Sequence, residues 1–172
     1  MRVPISWLRA YAALPQNADE IVSRLATLGF PVDAVEPRPA ITGVVVGRIE
    51  KIEKHPNADR LQVCTIDVGS ERKLTIATAA TNVAEGQVIP VATIGAKLPE
   101  LTIEPRKMRG IASEGMLCSG GELALEPEWF EDGIMQLDRD MPLGANVVDL
   151  LGLADPVLDV DVTPNRDRKS VV

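Results

Sequence analysis

Apolar positions along this chain follow two different periods, and the change between them falls near residue 40. Before it, Ile21, Val22, Leu25 and Leu28 recur at helical spacing behind Asn17, whose side chain suits the N-cap. Asp19 and Glu20 favour the first turn of that helix, and Gly29 supplies its stop. A shorter helix is expected ahead of it, capped by Ser6, running through Leu8 and Tyr11, and closed by Pro15. Pro31, Pro37 and Pro39 then bracket a short extended stretch, Val32–Glu36.

From Gly43 the period becomes that of strands. The β-branched stretch 44–52 is followed by a turn at His55-Pro56-Asn57-Ala58-Asp59, then by 61–68 and 74–78. Further strands are expected at 87–93, near 101–103 and at 115–119. Five or six short strands with turn signals every 8–12 residues predict a small barrel or sandwich. Beyond an acidic stretch, 122–140, the pair Trp129-Phe130 is expected to anchor a loop onto that barrel. A helix is expected over 144–151, stopped by Gly152. Last, Leu158, Val160 and Val162 alternate with Asp159 and Asp161, which predicts a strand able to pair with Val32–Glu36. The expected architecture is mainly β with an α+β flank: a barrel inserted into a small split α+β unit. The split unit's first half is 1–40, the barrel 41–151, and a second half starts at 152–172.

Charge refines this picture. The 172 residues carry 18 Lys and Arg against 25 Asp and Glu, and the imbalance is local. Residues 1–42 are neutral, 43–110 carry +2 and 111–172 carry −9. The barrel segment is thus compatible with a polyanionic partner despite the acidic total, and it holds the run Arg106-Lys107-Met108-Arg109. On a strand, Lys107 and Arg109 would share one face and could each meet a phosphate, with Asn82 on a loop reaching a ribose or base edge. The competing reading of the same run is a solvated barrel face. No aromatic residue occurs between 31 and 128, so stacking on a Phe or Tyr platform is not available there.

Familiar catalytic and metal chemistries find little support. One histidine and two cysteines are too few for a structural zinc site. Cys64 and Cys118 read as buried apolar residues of the barrel, with a disulfide as the alternative. The glycines around Ser113 do not match a nucleophile turn. His55–Leu61 reads as a structural turn whose Asn57 or Asp59 satisfies local amides, with a phosphate or base contact by His55 as the alternative. No apolar run is long enough for a membrane helix, and the N-terminus lacks a signal-peptide core, so a cytoplasmic protein is expected.

Four segments occur in an order that resembles a known family. They are Trp7-Leu8, His55-Pro56-Asn57-Ala58-Asp59-Arg60-Leu61, the stretch from Arg109-Gly110 through Ser113-Glu114-Gly115-Met116 to Ser119, and Asp161-Val162-Thr163-Pro164-Asn165-Arg166. Together they resemble the N-terminal part of bacterial phenylalanyl-tRNA synthetase beta subunits over about residues 1–166. The barrel is similar to the EMAP-type tRNA-binding domain. The resemblance implies a five-stranded OB-fold and tRNA as partner. It also implies an alpha subunit in a heterotetramer, and ATP and Mg2+ for the parent enzyme with no cofactor or chemistry in this segment. It places Ser113 and Met116 at the border of the RNA-facing surface. With Lys97 nominated as a further phosphate contact, the candidate site is Asn82, Lys97, Lys107, Arg109, Ser113 and Met116. After Asn165-Arg166 the sequence departs from the family's usual Pro-Asp, which leads one to expect a split unit truncated in its second half. The family's editing site and magnesium ligands would lie beyond residue 172. A protein-interaction or chaperone-like OB module that dimerises without binding RNA is the competing function.

Overall fold

A computed structural model describes residues 1–38, 40–125 and 131–162. The expected Trp129-Phe130 anchor and the residues after Val162 lie outside the described residues. The chain divides into two compact units, one made of residues 1–38 and 154–172, the other of 39–153.

The first unit is a small α+β assembly. Strands β1 (Arg2–Pro4), β10 (Val157–Val160) and β2 (Val32–Glu36) form an antiparallel sheet with β10 in the middle. The alternating segment near residue 160 therefore does pair with Val32–Glu36, Leu158 lying opposite Val35, and it also pairs with β1. Two helices, α1 (Ile5–Tyr11) and α2 (Ala18–Thr27), complete the unit. Ile5, Ile21, Leu158 and Val160 form its core, with Leu8, Val22, Leu25 and Phe30 packed against them. Asn17 caps α2 as its sequence predicts, accepting from the Asp19 amide at 2.9 Å. Leu28 departs from the expected apolar stripe: it stands at the helix C-cap and is 63% exposed.

Ser6 does not cap α1. It lies inside the helix, and the Asp155 carboxylate takes the capping role, accepting from the Ser6 amide at 3.1 Å and from Ser6 Oγ at 2.6 Å. A carboxylate at that end complements the helix dipole and satisfies a free amide. Sequence spacing alone could not reveal a cap supplied by a residue 149 positions away.

The second unit is a nearly closed five-stranded antiparallel barrel of the OB type. Its strand order is β5-β4-β3-β6-β9, with β3 at Thr42–Lys54, β4 at Gln62–Asp67, β5 at Leu74–Thr78, β6 at Val88–Lys97 and β9 at Gly115–Leu117. Ile49, Cys64, Ile66, Ile76, Ile89, Val91 and Leu117 fill one buried cluster. A second cluster gathers Val44, Val46, Val88 and Ala92 with Leu123, Val147 and Val148. Strands β3 and β6 are therefore covered on both faces, which is why Val88–Ala92 is buried without interruption. Part of that cover comes from the acidic third of the chain. At Gly43, φ is +74° and a Cβ would come within 2.8 Å of the Ala96 backbone, so glycine permits the irregular pairing at the start of β3.

Two expected elements differ in extent. Residues 101–103 form no strand; Thr102 makes a single bridge to Lys97 within a tight return of the chain. The helix expected over 144–151 is one turn, α3 (Val147–Leu150), because Asn146 caps it by accepting from the Val148 amide at 3.0 Å. The residues before it are used otherwise, Val46 donating to the Ala145 carbonyl and Gly144 to Val46. A short hairpin, β7 (Arg106–Met108) and β8 (Ile111–Ser113), lies where strand alternation alone had suggested a single charged strand. Cys64 and Cys118 are both free and buried.

Candidate nucleic-acid interface

Met108 pairs with Ile111, so Arg109 and Gly110 are the two central residues of a tight hairpin turn. Their φ values are 46° and 99°, the double positive-φ geometry of a type I′ turn. This corrects the sequence expectation for the run. Lys107 sits on a strand while Arg109 rides the tip, so simple alternation does not relate their side chains. Arg106, Lys107 and Arg109 are all exposed, and none makes an ion pair among the described residues.

The hairpin is fastened to the barrel on two sides. On one, Ala77 of β5 donates its amide to Ser113 Oγ at 3.2 Å, and Ser113 Oγ donates to the Gly115 carbonyl at 3.0 Å. Glu114 extends this seam, accepting from the Thr75 amide at 3.0 Å while its other carboxylate oxygen meets Arg72. On the other side stands His55, which is buried. The Asn57 amide donates to His55 Nδ1 at 3.1 Å, so the ring proton resides on Nε2, which donates to the Met108 carbonyl at 2.9 Å. The His55 amide in turn donates to the Leu61 carbonyl, closing the β3–β4 turn. The turn is structural, as one of its two sequence readings has it, but the amide expected to be met by an Asn57 or Asp59 side chain is met by the His55 ring.

The nominated residues thus divide. Lys107 and Arg109 share the exposed hairpin. Lys97 is exposed at the far end of β6, opposite Thr42 and bridged to Thr102. Asn82 uses both ends of its amide on Ile134, donating to its carbonyl at 2.9 Å and accepting from its amide at 3.0 Å. Ser113 is buried and spends its hydroxyl inside the barrel. Met116 is half-buried and packs against the cluster around Val44 and Ala92. Sequence reading passed over Lys54 and Arg60, both exposed and without ion pairs among the described residues. Their signal was present: Lys54 immediately precedes the His55–Leu61 turn and Arg60 lies within it. Other cations nearby are neutralised, Lys51 by Glu53 and Lys73 by Glu50. Among the described residues no three His, Cys, Asp or Glu side chains are placed to hold a metal ion. No helix among them is long and apolar enough to cross a membrane.

A small antiparallel barrel presenting an unneutralised cationic hairpin is an OB-type domain with the charge of a polyanion binder. The chain belongs to the family described as putative tRNA binding domain, whose model matches residues 44–146. Over 169 residues it is 43% identical to a phenylalanine–tRNA ligase beta subunit of Francisella tularensis, covering 96% of this chain and 21% of that protein. A phenylalanine–tRNA ligase beta subunit of Synechococcus sp. (strain CC9605) is 45% identical over 173 residues, with 96% and 21% covered. This chain spans about a fifth of the length of the curated relatives it matches. A structure of a MetRS-related protein from Pyrococcus horikoshii is 21% identical, covers 78% of this chain and 99% of its own, and superposes with a TM-score of 0.45.

Proposed function

We propose that this chain is the tRNA-binding segment of a phenylalanine–tRNA ligase beta subunit, holding tRNA(Phe) for aminoacylation by the rest of the enzyme. The observation that carries the proposal is that the segment matching the tRNA-binding family carries exposed cations, Lys107 and Arg109, with no carboxylate partner among the described residues. Such cations bind phosphate by releasing condensed counterions, a gain that needs no base recognition. The segment contributes no chemistry of its own. ATP, Mg2+ and the transfer of phenylalanine belong to the remainder of a cytoplasmic heterotetramer containing an alpha subunit. Lys97 adds a phosphate contact at a separate point on the barrel, while Asn82, Ser113 and Met116 hold the scaffold.

Without aromatic residues between 31 and 128, binding by this barrel segment is electrostatic and strongly salt-dependent. Fluorescence anisotropy with whole tRNA at low and at physiological salt tests this. Binding at low salt that weakens steeply with added salt is expected, with a dissociation constant of about 1–100 μM or weaker at physiological salt. Absence of binding at low salt would favour a protein-interaction module instead. Weak affinity suits a domain working in cis, because attachment to a larger enzyme raises its effective concentration at the tRNA.

A further inference from the structure

Two basic turns, far apart in sequence, are locked to each other by one imidazole. His55 begins the β3–β4 turn and bonds the Met108 carbonyl in the β7–β8 hairpin at 2.9 Å. Lys54 immediately precedes His55, and Arg60 immediately precedes Leu61, whose carbonyl accepts from the His55 amide at 3.0 Å. Lys107 and Arg109 flank Met108. Each of the four cations is thus one residue from a single hydrogen-bonded trio, His55, Leu61 and Met108. All four are exposed and make no ion pair among the described residues. Asp59 is the one carboxylate inside the His55–Leu61 turn.

The backbone of the hairpin supplies an independent observation. Arg109 adopts φ of 46°, a conformation that costs an L-residue energy and that glycine would take freely. The next residue is glycine, so the turn already has one favourable occupant. Strain borne at a loop tip by an exposed arginine with no ion pair among the described residues is consistent with a use for the charge itself.

We infer that Lys54 and Arg60 of the β3–β4 turn join Lys107 and Arg109 of the hairpin in one clamp for the phosphate backbone of folded RNA, with His55 as the residue that sets their spacing. This rests on the tRNA-binding reading and adds to it a second basic loop. Two turns held at fixed separation meet phosphates that are apart along a strand or on either side of a groove. That is recognition by shape, and it is available only where the RNA is folded.

The test uses the full chain and whole tRNA, with circular dichroism confirming that each variant folds. The variants are Lys54→Ala with Arg60→Ala, Lys107→Ala with Arg109→Ala, and all four together. For the unaltered chain, log K should fall against log salt with a slope of about −3 to −4, and each double variant should flatten it by about 1.5–2 units. The quadruple variant should retain little salt dependence. The clamp also predicts that a single-stranded oligonucleotide of similar length binds more weakly than folded tRNA. If the Lys54 and Arg60 variant binds tRNA with unchanged affinity and slope while the hairpin variant weakens, the clamp is wrong and the tRNA reading stands. If the unaltered chain binds no tRNA at low salt, the tRNA reading falls and the clamp falls with it.

Discussion

Asn82 and Ile134 hold each other by two hydrogen bonds, the side-chain amide of one closing on the backbone amide and carbonyl of the other at 3.0 and 2.9 Å. The pair ties the loop after β5 to the chain beyond β9. Gly133 leaves the room, since a Cβ there would lie 2.5 Å from Asn82 Oδ1. Replacing Asn82 by Ala strands two backbone groups and should cost about 1–3 kcal/mol, read as a lowered urea midpoint with unchanged slope. RNA affinity measured well below the new midpoint should not change. A loss of affinity with stability intact would restore Asn82 to the binding surface.

Ser113 makes a related case inside the barrel seam. Its hydroxyl is the acceptor for the Ala77 amide of β5, a buried hydrogen bond. Ser113→Ala should destabilise by about 1–3 kcal/mol, and amide exchange at Ala77 should speed up more than at central strands such as β3.

Arg109 sets stability against binding. Arg109→Gly removes the positive-φ penalty at the hairpin tip and should stabilise the chain by about 0.5–1 kcal/mol. The same change removes the charge proposed to meet a phosphate, so tRNA affinity should fall at low salt. Thermal melts and tRNA titrations on one preparation would show the opposite signs.

Burial pushes the Cys118 thiol up to about 12 from its ordinary 9.0, and the nearby Glu122 carboxylate adds to the shift. Burial also raises Cys64. The folded state therefore keeps its thiol proton where the unfolded chain gives it up. This contribution is fully present below about pH 9 and is lost as pH rises from there toward 12. Iodoacetamide at pH 8 should leave Cys118 unmodified in the folded protein and label it in urea, as mass spectrometry would resolve.

The strands were legible where β-branched residues ran between turn signals, as in 44–52 and 74–78, because burial on a sheet demands that pattern. The pairing of Val32–Glu36 with the strand near residue 160 was legible for the same reason. The hairpin at 106–113 was not, since three charges in four residues read equally well as an exposed strand. Its sign was the Arg109-Gly110 step between Met108 and Ile111, a dipeptide weaker than the usual Asn-Gly signal. Resemblance places Ser113 at the border of the RNA side, and the structure buries it with two hydrogen bonds to backbone groups. For a polar side chain nothing local in the sequence reveals whether a distant backbone group claims it. Exposure of the cations is legible, since lysine and arginine are rarely buried without a partner.

Strand β10 lies between β1 and β2, and that order has a consequence in time. During synthesis the first 36 residues leave the ribosome with their sheet lacking its middle strand, which follows about 120 residues later. At about 5–20 residues per second that is a delay of roughly 6–24 seconds. The barrel segment, whose five strands pair with one another, is complete before Val157 emerges. Translation thus reverses the order of the sheet: the inserted barrel can form first, and Val157–Val160 closes between β1 and β2 afterwards. A pause or a missense change near Leu158 would spare the barrel and leave a nascent N-terminal segment waiting, its Ile5 and Ile21 open to chaperones.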